Sequence, residues 1–281
     1  NKTAILNASG NGGVTFGDGS GGANTAVLQL HQNEQIENAA AVTIKADGKF
    51  DLNGKTETIG TLAGTGSGTL AIGSGALVVG TSSSTSFSGS VTGTGSLTKQ
   101  GTGTLTLSSS INFGGDVNVN AGTLEFTGNI PSIAGTLTLG SGSTLMLNLT
   151  GANASLSVNT LHITGNTVID FGSASASILN VQTLIIDPGV TLVSITNWTN
   201  ASDFFYSQAW TGATLGTRGV GPETQITFSG YSPTQTAWLS YDHQITPAPE
   251  PATYGFILTG AGLVLVGYRR FRIRKETVKA A

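Results

Sequence analysis

Cysteine is absent from the 281 residues, so neither a disulfide framework nor a thiolate metal site is available, and stability has to come from packing and backbone ladders. Charge is scarce as well: Asp, Glu, Lys and Arg make up 10% of the chain, which is unusual for a compact enzyme. Aromatic residues are few, and hardly any stretch before residue 254 has helical periodicity. The net charge of -3 is unevenly placed, because Arg269, Arg270, Arg272, Arg274, Lys275 and Lys279 gather near the end and leave the remainder acidic. An acidic body argues against nucleic-acid binding. The opening, Asn1 to Gly22, has no basic segment followed by an apolar stretch, so the native N-terminus is expected to lie upstream.

What is plentiful is glycine, 41 residues, in a background of Ser, Thr and Asn, with Val, Ile and Leu recurring at short intervals. That combination is neither a disordered chain nor an ordinary α/β domain. Gly-Thr-Leu recurs at Gly60, Gly68, Gly103, Gly122 and Gly135, and each copy opens a stretch in which apolar residues alternate with Thr, Ser or Asn. Leu105 and Leu107, Val117 and Val119, Leu124 and Phe126, and Leu137 and Leu139 all keep the period of two, which is the period of strands. Gly-Ser, Asn-Gly and Gly-Gly pairs between them are turn chemistry for backbone of positive φ. Many very short strands with such turns predict an all-β fold, a parallel β-helix or β-solenoid with a narrow axial core and polar ladders on its outer face.

Several segments are similar to the autotransporter-associated β-strand repeat family. They are Gln35-Ile36 followed by Ala41-Val42-Thr43-Ile44, then Leu52 to Gly60, then the run Lys99-x-Gly101-x-Gly103-x-Leu105-x-Leu107, with Asn112-Phe113-Gly114-Gly115 and Val117 to Leu124 completing the unit. The resemblance is clearest over residues 27–126. It implies a right-handed parallel β-helix of passenger type. Alternating ten-residue strands with aromatic girdles are missing from the end of this sequence, so the outer-membrane barrel that self-translocating passengers carry is not expected.

The same alternation continues through Leu156, Val158, Leu161, Ile163 and Leu184 to Ile186, so the solenoid is expected to cover residues 1–196. Composition then shifts: all three tryptophans, Trp198, Trp210 and Trp238, and most nearby Phe and Tyr fall between Asn197 and His243. An open apolar end needs closing, so residues 197–246 are expected to form an aromatic cap. The three tryptophans are also the candidate glycan contacts, and a polysaccharide-binding or polysaccharide-degrading module on the same scaffold is the alternative reading.

Residues 247–281 read as a separate signal. Pro249-Glu250-Pro251 cannot continue a helix or strand and stays extended. A short apolar run follows, giving a single transmembrane helix over about 252–268, and then the basic tail 269–281, whose Arg269, Arg270, Arg272, Arg274 and Lys275 orient it under the positive-inside rule. The fifteen residues of the apolar run Tyr254 to Tyr268 reach about 22 Å as a helix, short of the roughly 30 Å hydrocarbon core, so the span is marginal. This ordered trio resembles the PEP-CTERM sorting signal. The resemblance implies recognition and cleavage near the motif by an exosortase-type membrane peptidase, in Gram-negative bacteria that export such proteins with exopolysaccharide, and hence a transient inner-membrane anchor before release to the surface or matrix.

No catalytic residue, metal ligand or cofactor is assigned. Gly17 to Gly22 spells a dinucleotide fingerprint without the strand and helix that give it meaning, and is read as a glycine-rich turn. Asp18 alone supplies too few carboxylates for calcium. His162 sits between inward Leu161 and Ile163 and should face solvent. Asp242 and His243 with Ser240 spell a triad but, being adjacent on an extended segment, the first two face opposite ways. Lys99, Asp116, Glu125, Asp170 and Asp187 are too sparse to suggest a sugar-cleaving cluster.

Overall fold

Period two in the sequence becomes period two in burial. In a computed structural model that describes residues 13–108, 111–128, 131–151, 153–173, 176–211, 225–231, 236–239 and 243–247, the strands Ser96–Lys99, Thr104–Leu107 and Asp116–Val119 each alternate an outward polar residue with a buried one. Leu97, Leu105, Leu107, Val117 and Val119 are all at most 3% exposed. Single short strands of this kind cannot stand alone, and their stability comes from the strands stacked above and below.

That stacking is parallel and in register. Leu97 pairs with Leu77 on one side and Val117, twenty positions on, along the other, while Leu105 pairs with Leu124. Like residues therefore fall on like: Leu105, Leu124, Leu145, Ile169 and Ile195 follow one another up the same face, and Phe50, Phe87, Phe113, Phe126 and Phe171 are among the largest fully buried side chains. Truncating one of these phenylalanines to Ala has a typical cost of about 3 to 5 kcal/mol. Phe16 and Phe50 stack at 5.5 Å near the first coil.

Three sheets result. A ten-stranded sheet runs the length of the described body, from Val14–Phe16 to Ile226–Phe228, and an eleven-stranded sheet runs beside it from Thr56–Ile59. A four-stranded sheet, Ala26–Gln29, Gly48–Asp51, Thr69–Gly73 and Ser90–Gly93, forms a third face over the early coils only. After it ends, Asn112–Phe113 pairs with Ser132–Ile133, the first residues of the eight-residue strand Ser132–Leu139. From there one long strand per coil covers two faces, as in Ser155–Ile163 and Ile178–Ile186, each nine residues. No helix occurs among the described residues.

Glycine at one corner is required by stacking and not by φ. Gly75, Gly95 and Gly115 each precede a strand of the eleven-stranded sheet in successive coils, and Gly135 holds the same place in the next coil, within the strand Ser132–Leu139. A Cβ on any one of the last three would run into the carbonyl oxygen of the glycine in the coil before it. The neighbouring Gly73 and Gly93, at φ 64° and 128°, are the positions where positive φ is used.

Parallel stacking continues past residue 196, into the segment expected to be an aromatic cap. Ile178–Ile186 pairs in parallel with Phe204–Thr211, and Val193–Thr196 with Ile226–Phe228. The physical reason is that the new aromatics keep the old rungs: Phe205 stands over Leu179, and Phe228 over Ile195, both buried. The pattern changes only at Gln244–Pro247, which pairs antiparallel to Phe204–Thr211 through Phe205 and Ile245. The transmembrane helix expected over about 252–268 lies outside the described residues, among which no helix is long and apolar enough to cross a membrane.

Candidate functional site

The few ionisable side chains sit where coils meet. Lys99 points inward and is 2% exposed. Its ammonium donates to the carbonyls of Gln100 at 2.9 Å, Gly101 at 2.7 Å and Ala121 at 3.2 Å, so it ties the corner of its own coil to that of the next. Burial lowers its pKa below the ordinary 10.5. This is the lysine of the Lys-x-Gly-x-Gly run, and the two glycines that follow provide the close turn its carbonyls crowd around.

Buried carboxylates do the converse, accepting from backbone N–H groups. Glu57 accepts from Gln35 at 2.8 Å and Ile36 at 3.2 Å, and Asp203 from Thr199 at 2.7 Å and Ser177 at 3.0 Å. Burial raises the pKa of both, against the lowering effect of those N–H donors. Asp47 accepts from Gly19 at 2.8 Å and so anchors the glycine-rich turn at Gly17 to Gly22.

The remaining charges join outer ladders. Asp116 accepts from the Thr136 N–H at 2.7 Å in the next coil. Glu125 accepts from Thr106 at 2.7 Å below and Asn148 at 2.6 Å above, and Asp170 from Asn197 at 2.7 Å. His162 is on the outer face and lies 2.9 Å from Asp187 of the following coil. No group of three or more His, Cys, Asp or Glu able to hold a metal occurs among the described residues.

Of the three tryptophans, Trp198 rests edge-on between Phe171 and Phe228, with ring centroids 4.9 Å from each, and its indole N–H donates to Asn200 at 2.7 Å. Trp210 and Trp238 belong to the strands Phe204–Thr211 and Thr236–Leu239, but their side chains lie outside the described residues. So do Pro249, Glu250 and Pro251, the basic cluster Arg269, Arg270, Arg272, Arg274 and Lys275, and Asp242.

One concave feature was not anticipated. Where the long strands bend, the ladder skips a rung: Val158 pairs with Val181 and Thr160 with Thr183, leaving Asn159 and Gln182 unpaired between them. Gln208 occupies the same place in the next coil, between Ser207 and Ala209. The first bend, at Ala134, coincides with the register break between Ile133 and Thr136. Ala134, Asn159, Gln182 and Gln208 are exposed along one side of a groove of about 490 Å³. Ser132, Ser157 and Asn180, paired rung to rung, line the other. A sequence signal for it exists in retrospect: Leu156-Ser-Val158-Asn159-Thr160-Leu161-His-Ile163 and Leu179-Asn-Val181-Gln182-Thr183-Leu184-Ile-Ile186 break the alternation with two outward residues in a row.

The segment from Ser96 to Phe126 covers somewhat more than one full coil, with the Lys99 corner near its start. Residues 97–126 match the family model of the passenger-associated-transport repeat. The matched repeat therefore has a physical content here: its Leu-x-Leu and Val-x-Val pairs are core rungs, its lysine ties the corner, and Gly115 and Gly122 are sites of close coil-to-coil approach. No curated protein and no solved structure matches the chain.

Proposed function

We propose that this chain is an exported, non-catalytic surface protein, a stiff polar-faced β-solenoid that is sorted and cleaved through its C-terminal segment. The observation that carries the surface reading is the passenger-type repeat at residues 97–126, matched by model and folded as stacked coils. The non-catalytic reading is supported by the use of charge: Lys99, Asp116, Glu125, Asp170 and Asp187 are each held by hydrogen bonds within the fold, and Glu125 and Asp170, which share one column of the ten-stranded sheet, are separated by the coil of Met146. Right-handed coiling is what parallel crossovers adopt in nearly all cases.

The sorting reading rests on the order Pro249-Glu250-Pro251, apolar run, arginine cluster. In it the prolines present an extended segment to an exosortase-type peptidase, the helix holds that segment at the membrane, and the arginines keep the tail cytoplasmic. The body is then retained in the envelope or an exopolysaccharide layer. The test is the C-terminal mass of the mature protein from native cells, beside fractionation of Glu250→Ala and of the double variant Pro249→Ala, Pro251→Ala. A mature chain ending near Pro251, with both variants uncleaved in the inner membrane, is expected. A native chain that keeps its arginine cluster and stays in the membrane would instead make the segment a plain anchor.

A further inference from the structure

We propose that the groove at the strand bends binds a neutral, linear polysaccharide laid along the solenoid axis. Three features of the groove carry this, and none depends on the C-terminal signal. The first is repetition. Ser132, Ser157 and Asn180 form one row and Ala134, Asn159, Gln182 and Gln208 another, each advancing one residue per coil. Strands stack at about 4.8 Å, so four coils give a channel roughly 14 Å long, with Asn159, Gln182 and Gln208 evenly spaced on one side and Ser132, Ser157 and Asn180 on the other. A polymer of sugar rings offers hydroxyls at a similar repeat, whereas a folded protein surface does not. The volume, about 490 Å³, is in the range of ligand-holding clefts.

The second feature is that these polar groups are available. Several outer polar side chains elsewhere bond from coil to coil, as Glu125 does with Thr106 and Asn148, and Asn166 with Thr191 at 2.9 Å. The side-chain amides of Asn159, Asn180, Gln182 and Gln208 make no hydrogen bond to any described residue. Each amide carries both donors and an acceptor, which is what a hydroxyl needs. The third feature is charge: no Asp, Glu, Lys, Arg or His lines the groove among the described residues. An anionic glycan finds no cation there, and a cationic peptide no carboxylate. The row of Asn180 continues to Tyr206, whose ring stacks on Phe204 at 5.8 Å.

The experiment is isothermal titration of the full chain with cellohexaose and laminarihexaose as neutral probes and hexagalacturonate as the charged one. The same titrations are run on the triple variant Asn159→Ala, Gln182→Ala, Gln208→Ala and on Ala134→Trp, which fills the groove and keeps the amides. Saturable binding of a neutral probe, weakened about tenfold or more in both variants at unchanged melting temperature, is the expected result. Absence of binding by either neutral probe, equal or tighter binding of hexagalacturonate, or variants that bind as the parent does would each overturn the proposal. Because these side chains are exposed, loss of fold is not expected. If a variant nonetheless melts lower, Gln182→Ser alone gives the comparison, and undiminished binding there, too, overturns the proposal.

Discussion

Gly115→Ala is expected to split the solenoid at one interface. The added methyl would press on the Gly95 carbonyl oxygen, the same oxygen that accepts from the Asp116 N–H at 3.0 Å. A backbone atom held in a ladder cannot move aside as a side-chain tip can, so the coils must part there and the bond between them must lengthen or break. Overpacking of cores costs about 1 to 3 kcal/mol even when side chains can yield, and a backbone collision lies at or above the upper end. At roughly 2 to 4 °C per kcal/mol for a body of this size, a fall in melting temperature of about 10 °C follows. Because repeat stability is a sum over neighbouring interfaces, hydrogen exchange should rise mainly around residues 96–119. Gly189→Ala is the control: nothing lies within 4 Å of its Cβ position, so a change within about 0.5 kcal/mol is expected. Equal melting temperatures for the two variants would contradict the stacking geometry.

Lys99→Met is the second large effect. Methionine keeps most of the volume and the apolar stem, so the substitution isolates the ammonium. Two contributions oppose each other. Burial of the charge is unfavourable, which is why its pKa is lowered, and Met removes that cost. Against this, three carbonyls, of Gln100, Gly101 and Ala121, lose a charged donor at 2.7 to 3.2 Å. Hydrogen bonds to charged groups contribute about 1.5 to 3 kcal/mol each, and stranded buried acceptors add to the loss. The hydrogen-bond side is the larger, giving a net destabilisation of about 2 to 4 kcal/mol, measured by denaturant unfolding of the full chain against Lys45→Met, a partly exposed lysine on the outside. A Lys99→Met protein as stable as the parent would show that the matched repeat keeps its lysine for some other reason.

How much of this was legible in the sequence depends on which physical rule set each feature. Inward and outward positions were readable because a strand has only two faces: Leu105, Leu107, Val117 and Val119 are core, and His162 between Leu161 and Ile163 is outside. The glycine-rich turn at Gly17 to Gly22 was readable from turn chemistry, and Gly17, Gly19 and Gly21 do adopt positive φ. The corner glycines were visible as turn residues, but their reason was not, since Gly95 and Gly115 answer to a carbonyl some twenty positions away. Composition misled at residue 196. The gain in aromatics marked larger residues on the same rungs, and only the pairing of Phe205 with Leu179 and Phe228 with Ile195 reveals that. The groove escaped notice because its rows come from four coils, and two outward residues in succession, such as Asn159-Thr160, read as a lapse in alternation until the coils are stacked.

Labelling of intact native cells with a membrane-impermeant amine reagent, followed by peptide mass spectrometry, tests surface exposure and the folded solenoid in one measurement. Lys45 and Lys55 are partly exposed on the outside, and Lys99 is buried with its ammonium held by three carbonyls. The account predicts that Lys45 and Lys55 are modified on unbroken cells while Lys99 is not. Modification of Lys45 and Lys55 only after lysis, or of Lys99 to the same extent as the other two, would contradict it.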